Sequence, residues 1–265
     1  MKRLTLCADD YAQNPGISHG IRELAKSGRI SAVSCFTTTE HWPYEGKLLQ
    51  SCSGNFDTGL HFNLTHQTGK PLEKWIGDSL RGKLNASEIR EALISQWRNF
   101  EQVLGKSPDY LDGHQHVHIL PGVSEIIADT LGRLGAPEAF PVRRIAKPSA
   151  TFSWHPKLLV KRAILQFLSQ IGEPALSHTY PGNPWFAGIY LLDRPSDFEV
   201  HMKNWIRNVP DSTLIMCHPG HRCNDPDDPI PNARTVEYDY LSSDAFEADL
   251  RNAHAILVPF RKLIS

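Results

Sequence analysis

The chain of 265 residues lacks the features that direct proteins to nucleic acids or membranes. Lys and Arg number 28 against 29 Asp and Glu, so the net charge is −1 and the basic excess of a typical nucleic-acid binder is absent. No apolar run approaches the roughly 18 residues that a membrane helix needs. Mean hydropathy is −0.35. We therefore predict no nucleic-acid partner and no membrane span.

Cysteine is also scarce, with five residues that are scattered and form no CxxC pair. This pattern argues against a disulfide framework and against a structural zinc knuckle. The first apolar stretch, Leu4 to Ala8, is interrupted by two acidic residues. A secretory signal needs about 7–15 apolar residues, so this stretch is too short. Together these observations predict a cytoplasmic protein.

The sequence does contain an alternation of β-rich and helical segments. Apolar runs predict strands at residues 3–8, 30–38, 58–64, 109–120, 140–143, 188–192 and 213–217. Amphipathic patterns between them predict helices, including one at 87–104 and one at 244–263, while 69–82 and 222–234 are expected to be loops. This order is typical of an α/β fold with a mostly parallel sheet. We expect a single catalytic domain over residues 1–265.

Polar side chains follow several of these predicted strands at the point where each strand ends. Asp9 and Asp10 follow the first, His61 lies near the end of the third, and His218 follows the last. In parallel α/β folds, chemistry gathers at the carboxyl ends of strands. Taken singly, each has an ordinary explanation, since acids cap helices and a strand histidine is often a hydrogen-bonded polar group.

The densest feature is the run Asp112-Gly113-His114-Gln115-His116-Val117-His118. On a strand, residues two apart share a face, so three imidazoles would line one side. An exposed polar edge is one explanation, but burying them would require partners such as a metal ion. With Asp10 and His61, His114 forms a candidate Asp-His-His metal site. The spare carboxylate of Asp9 is then a candidate general base, and His218 a candidate general acid.

Six short motifs extend this pattern over most of the chain, and their order and spacing are specific. They are Ala8-Asp9-Asp10-Tyr11, Gly59-Leu60-His61-Phe62-Asn63-Leu64-Thr65, Gly69-Lys70-Pro71-Leu72, Gly105-Lys106-Ser107-Pro108, Leu111 to His118, and Cys217-His218-Pro219-Gly220. Through them the chain resembles the YdjC-like carbohydrate deacetylases, the family that includes chitooligosaccharide deacetylase and hopanoid-associated members.

The resemblance implies a distorted (β/α) TIM-like barrel of the polysaccharide-deacetylase type. It implies a metal-dependent hydrolase that removes the acetyl group from an N-acetylated sugar or oligosaccharide. One divalent ion, Mg²⁺ or Zn²⁺, would be held by Asp10, His61 and His114. Asp9 matches the proposed base of the family, and His218 matches the histidine of its later motif, a candidate acid.

The resemblance also suggests contacts with substrate. Arg143 lies where the family has an arginine after its middle strand, a candidate substrate contact. His116 and His118 are expected either to support the ligands from behind or to face the substrate. Tyr11 is a candidate for stacking on a sugar ring, with packing in the core as the commoner alternative for an aromatic residue. Tyr11-Ala12 stands where Phe-Gly is usual, which leaves the predicted ligands intact. The segment 147–183 does not align with the family, so the specific sugar is not predicted.

Two other functions remain open from the residues alone. A metal-dependent hydrolase of another ester, amide or phosphoester would keep the metal site, although phosphoesters usually require two metals or an arginine clamp. A non-catalytic sugar-binding protein would not need a general base, yet Asp9 is present. The sequence also leaves the oligomeric state open between a monomer and a homodimer.

Overall fold

A computed structural model describes residues 1–145, 155–223 and 225–264, and a parallel sheet lies at its centre. The strands are β1 (Lys2–Tyr11), β2 (Ala32–Cys35), β3 (Asp57–Phe62), β4 (Leu111–Gly113), β5 (Trp185–Ala187), β6 (Thr213–Cys217) and β7 (Ala255–Leu257). The order is β4-β3-β2-β1-β6-β5, with β7 beside the first residues of β1, and every pairing is parallel. All of the carboxyl ends therefore lie at one edge of the sheet.

The two outer strands of the sheet are linked through irregular backbone. Beyond β4, Leu111 forms an isolated parallel bridge with Val142. The amide of Val142 in turn donates to the carbonyl of Pro181 at 2.9 Å. Because residue 181 lies shortly before β5, these bonds connect the opposite edges of a curled sheet. The predicted distorted (β/α) barrel is confirmed.

Helices surround the sheet and follow the strands in sequence. They are α1 (Pro15–Lys26), α2 (Trp42–Gln50), α3 (Leu72–Leu80), α4 (Ala86–Leu104), α5 (Val123–Arg133), α6 (Pro156–Ser177), α7 (Phe198–Asn208), α8 (Pro231–Ser242), α9 (Asp244–Asn252) and α10 (Phe260–Leu263). The predicted apolar face of α4 is buried against the sheet, and Gly105 ends this helix with φ of 67°. Within the described ranges, no helix combines the length and the apolar character that a bilayer span requires.

Several predicted elements are wrong. Residues 69–82 are not a loop throughout, because they contain α3, which buries Trp75. Residues 244–263 are not one helix, since α9 ends at Asn252 and the short apolar run of β7 pairs with β1. A run of three apolar residues does not distinguish a strand from a helix by periodicity.

Another error concerns β5, which the sequence predicts at 188–192. A Cβ at Gly188 would lie 2.3 Å from the carbonyl oxygen of Met216, and its φ is 109°, so the strand ends at Ala187. Residues 146–154, 224 and 265 lie outside the described part of the chain. The first of these gaps contains the start of the segment 147–183, which does not align with the family.

Gly172 lies where the backbone of α6 packs closely against the segment that follows β4. A Cβ at this position would lie 2.0 Å from the carbonyl oxygen of Ile119. Gly172→Ala therefore forces the backbones apart, and we expect the free energy of unfolding to fall by about 1–3 kcal/mol. Urea denaturation measures this change.

Gly132 in α5 is the matched control. The nearest neighbour of a Cβ there is the hydroxyl of Tyr180 at 3.9 Å, which is ordinary contact. Gly132→Ala should raise the free energy of unfolding by about 0.4–1 kcal/mol, because alanine reduces the entropy of the unfolded chain. Similar effects of the two substitutions would contradict the packing described here.

Candidate active site

The carboxyl ends of β1, β3, β4 and β6 meet at the floor of a large cavity. Its volume is about 1270 Å³, and its lining includes the five side chains that the sequence singled out for metal binding and catalysis: Asp9, Asp10, His61, His114 and His218. Each reaches the cavity because its strand ends at this edge of the parallel sheet. The structure therefore brings together residues that lie up to about 200 positions apart.

The backbone turns sharply where β1 delivers its two aspartates. In an extended strand, adjacent side chains point in opposite directions. Asp10 instead has φ of 67° and Ala12 has φ of 69°, and the pairing with β2 shifts register between Ala8 and Tyr11. This irregularity allows Asp9 and Asp10 to line the same cavity. Ala12 thus adopts a conformation that glycine favours.

Asp10, His61 and His114 form a compact cluster. Oδ1 of Asp10 lies 3.3 Å from Nε2 of His61 and 3.1 Å from Nδ1 of His114. One ligand atom from each residue lies within 4.8 Å of the other two. One carboxylate and two imidazoles at these spacings fit a transition-metal ion. That the cluster holds an ion remains a prediction.

Asp112 orients one of these imidazoles. Its Oδ1 lies 2.7 Å from Nδ1 of His61, which leaves Nε2 directed at Asp10. Burial acts to lower the pKa of His61, but the carboxylates of Asp112 and Asp10 outweigh it and raise the pKa to about 10. An ion must displace that proton, so binding releases it to solvent. A carboxylate behind a ligating histidine is a common support of metal sites.

Arg234 contacts the second carboxylate oxygen of Asp10 and compensates its negative charge. Its Nη2 donates to Oδ2 of Asp10 at 3.0 Å, and its Nε donates to Asp228. Burial acts to raise the pKa of Asp10, but Arg234, His114 and His61 together hold it well below the usual range. The expected loop at 222–234 is thus wrong at its end, because Arg234 is buried in α8. Pro231, typical of a first helical turn, was the available signal.

Arg143 is buried away from the cavity, which disagrees with its predicted contact with substrate. The side chain is fully buried and does not line the cavity. Its two terminal nitrogens donate to the two oxygens of Asp9 at 2.6 and 2.7 Å, and Nη2 also lies 2.5 Å from Oδ2 of Asp112. Arg143 therefore balances the charge of two buried carboxylates and fixes the orientation of Asp9.

The histidine run is not a strand beyond its first residues. β4 ends at Gly113, and a 3₁₀ helix spans His114–Ile119 with φ of 51° at Gln115 and 62° at His116. Because of this tight turn, His114, His116 and His118 do not point in the same direction, as alternate residues of a strand would. The predicted strand at 109–120 is therefore wrong, and so is the shared face of three imidazoles.

The three imidazoles have different surroundings. His114 reaches Asp10, whereas His116 lines the cavity beside it. His118 is fully buried, and its Nε2 lies 3.0 Å from the carbonyl oxygen of Arg143. Of the two positions predicted for His118, the buried one behind the site agrees with the structure, because its ring faces the interior and contacts the backbone of Arg143. The contact of His116 with substrate stays a prediction.

Tyr11 also does not face the sugar site. Its side chain is fully buried and is absent from the cavity wall. The hydroxyl donates to the carbonyl of Glu45 at 2.7 Å and accepts from Arg22. The predicted substrate contact is wrong, because β1 turns at Asp10 and directs the next side chain into the core.

His218 is paired with a glutamate that the sequence did not indicate. Its amide donates to Oε2 of Glu237 at 2.5 Å, and its Nδ1 is buried without a hydrogen bond, 3.9 Å from Oε1 of the same residue. Burial lowers the pKa of His218 to about 4 and raises that of Glu237 to about 7. No motif marks Glu237, because it lies in α8 and reaches the site only through the fold.

The profile of the YdjC-like protein family matches residues 3–252. This chain belongs to the YdjC-like family. Among curated relatives, it is 31% identical over 153 residues to a carbohydrate deacetylase of Mus musculus, covering 50% of this chain and 48% of that protein. It is 30% identical over 149 residues to a chitooligosaccharide deacetylase of Escherichia fergusonii, covering 51% and 58%. The chain thus spans about half the length of the curated relatives it matches.

Solved structures of other proteins have the same fold as this chain. A candidate cellobiose-phosphate cleavage protein of Enterococcus faecalis V583 has a TM-score of 0.69 at 16% identity, with 100% of this chain and 99% of that chain covered. A peptidoglycan N-acetylglucosamine deacetylase has a TM-score of 0.51 at 12% identity, with coverage of 99% and 87%. These likenesses show that the chain shares the fold of these proteins, a curled (β/α) barrel.

The cluster leads to a test of metal binding. His61→Ala removes one imidazole, and we expect it to lose one equivalent of bound zinc because the remaining ligands are too few. His116→Ala is the matched control, since this ring lines the cavity outside the cluster, and its zinc content should not change. Elemental analysis of the purified variants measures the loss. An unchanged zinc content in His61→Ala would show that the assignment is wrong.

Proposed function

We propose that this chain is a metal-dependent carbohydrate N-deacetylase and that residues 1–265 act as one catalytic domain on an N-acetylated sugar. The observation that carries the proposal is the convergence of Asp10, His61 and His114 on the floor of a cavity, with Asp9 beside them. The names of the curated relatives, carbohydrate deacetylase and chitooligosaccharide deacetylase, support it.

The donor set favours zinc or another first-row transition ion. Mg²⁺ prefers oxygen ligands and keeps several waters, whereas two of the three donors here are imidazole nitrogens. Such an ion, when bound, polarises the acetyl carbonyl and lowers the pKa of water. Asp10, His61 and His114 would hold it.

Asp9 is placed to act as the base. Its carboxylate lines the cavity, while Arg143 holds both oxygens from the buried side. The remaining lone pairs of these oxygens can accept a proton from the attacking water. Because Arg143 restrains Asp9, the carboxylate cannot easily swing into the cluster as a further ligand. Asp9 and its neighbour Asp10 thus have different tasks.

His218 is placed to act as the acid. At neutral pH the free ring is uncharged, because burial lowers its pKa to about 4. Negative charge that develops on the substrate during attack favours the imidazolium, and Glu237 lies where Nδ1 could donate to it. The ring takes up one proton from solvent at this stage and delivers it to the amine nitrogen as the carbon–nitrogen bond breaks. Asp9 then returns to solvent the proton that it took from water, which restores both residues. The products are acetate and the free amino sugar.

Substitution of the two aspartates separates their tasks. Asp9→Asn keeps the shape and one acceptor for Arg143 but removes the basic group. We expect acetate release from N-acetylated chitooligosaccharides to fall about 10²–10⁴-fold with zinc retained. Asp10→Asn should instead weaken zinc binding, because it removes the only carboxylate ligand of the cluster. Elemental analysis and an acetate assay on both variants provide the comparison.

Two results would count against these roles. Loss of zinc in Asp9→Asn with zinc retained in Asp10→Asn would reverse the assignment. Unchanged turnover in Asp9→Asn would eliminate Asp9 as the base. A folded wild-type protein that binds zinc and releases no acetate from any N-acetylated sugar would contradict the deacetylase itself.

The cavity wall suggests what the sugar is attached to. α3 and α6 contribute aliphatic side chains to it: Leu72, Ile76, Val160, Ile164, Leu165 and Leu168. Val160 and Ile164 are also exposed, and Phe167 and Ile171 continue the same apolar stripe along α6. Such a stripe is costly to expose to water unless it is covered. We propose that the acetylated sugar carries an apolar substituent that lies along α6.

A pair of glycosides tests this proposal. Each buried methylene contributes about 0.8 kcal/mol, so octyl N-acetylglucosaminide should exceed the methyl glycoside in kcat/KM by about tenfold or more. Ile164→Glu should reduce that ratio, whereas Val200→Glu, at an exposed position of α7, should not. Equal kcat/KM for both glycosides in wild type would contradict the apolar substituent. Hydrolysis of neither would instead contradict the deacetylase.

A further inference from the structure

A second cluster of potential metal ligands lies on the outer side of α1, away from the cavity lining. His19 and Glu23 belong to this helix, and His221 follows the segment that contains His218. Nε2 of His221 lies 2.6 Å from Oε2 of Glu23, and Nε2 of His19 lies 3.8 Å from Oε1. One ligand atom from each residue lies within 4.8 Å of the others. We propose that these three residues, the α1 cluster, form a second divalent-metal site.

The helix presents two of the ligands together. Residues four apart lie on the same face of a helix, one turn from each other. His19 and Glu23 have this spacing, and their side chains are partly exposed, with 60% and 45% accessible. An ion can therefore reach them from solvent without any opening of the fold.

The third ligand is held in place by backbone contacts. The amide of His221 donates to the carbonyl of Gly16 at 3.1 Å, and that of Gly220 donates to the carbonyl of Arg234 at 3.1 Å. A Cβ at Gly20 would lie 3.1 Å from the Cα of Gly220, so this close approach depends on glycine. The segment is thus fixed against α1 before an ion binds, which reduces the entropy cost of binding.

Tyr238 supports the carboxylate of the cluster. Its hydroxyl donates to Oε2 of Glu23 at 2.8 Å, and its ring lies 4.2 Å from that of His221. Hydrogen bonds of this kind orient ligands in known metal sites. One carboxylate and two imidazoles, with a water to complete a tetrahedron, suit Zn²⁺. The alternative is an ion pair of Glu23 with a protonated His221, which needs no metal.

The position of the cluster gives the ion a structural role. α1 begins shortly after Asp10, and His221 lies three residues after His218. An ion bound by both would connect the segment that carries a ligand of the cavity site to the segment that carries the proposed acid. Because the ion binds the folded chain, it would stabilise this arrangement by mass action. The inference does not depend on the deacetylase proposal.

Zinc stoichiometry tests the site. Chelator-stripped wild type should bind two equivalents of Zn²⁺ in a competition titration with a chromophoric chelator. His19→Ala/His221→Ala should bind one, and His178→Ala, an exposed histidine elsewhere, should still bind two. His61→Ala should retain one equivalent, and adding the two α1 substitutions to it should leave none. Circular dichroism checks that each variant is folded.

A thermal measurement provides a second readout. Zn²⁺ should raise the melting temperature of His61→Ala, in which the α1 cluster is intact, and should not raise that of the triple variant. Equal zinc content in wild type and His19→Ala/His221→Ala would overturn the proposal. So would a wild type whose only zinc is removed by His61→Ala, because the α1 cluster would then be an ion pair only.

Discussion

The ion pairs of the buried Arg143 are the interactions on which the rest of the site depends. One guanidinium faces two carboxylates, Asp9 from β1 and Asp112 from β4, where all three side chains are nearly inaccessible to water. Loss of one partner from a buried pair typically costs about 3–5 kcal/mol, because the remaining charge is uncompensated. Asp112 in turn orients His61, so the same guanidinium supports both the proposed base and the proposed ligands.

The sequence was sufficient for four strands of the parallel sheet, β1, β2, β3 and β6, and for the residues of the cavity floor. β1, β3 and β6 are short apolar runs that end in polar side chains, and this local pattern is preserved in the fold. The ends of parallel strands meet at one edge, so Asp10 and His61 could be placed together without coordinates. His114 was placed correctly for a partly wrong reason, since it follows β4 rather than lying on it.

The partners of these residues could not be predicted, because they depend on long-range contacts. Arg143 lies 134 positions from Asp9, and Arg234 lies 224 positions from Asp10. The left-handed backbone at Asp10 and His116 leaves no trace in a pattern of apolar residues. Ionisable groups therefore could be assigned only by residue type. As a result, Arg143 was assigned to the substrate, and Arg234 and Glu237 were missed.

The most direct test of the account is an anomalous difference map, recorded at the zinc absorption edge from crystals of the zinc-loaded protein. We expect a peak on the cavity floor at about 2.0–2.2 Å from ligand atoms of Asp10, His61 and His114. Asp9 should remain paired with Arg143 and should not bind the ion. A map without a peak at that position, or with the ion bound by Asp9 in place of Asp10, would contradict the account.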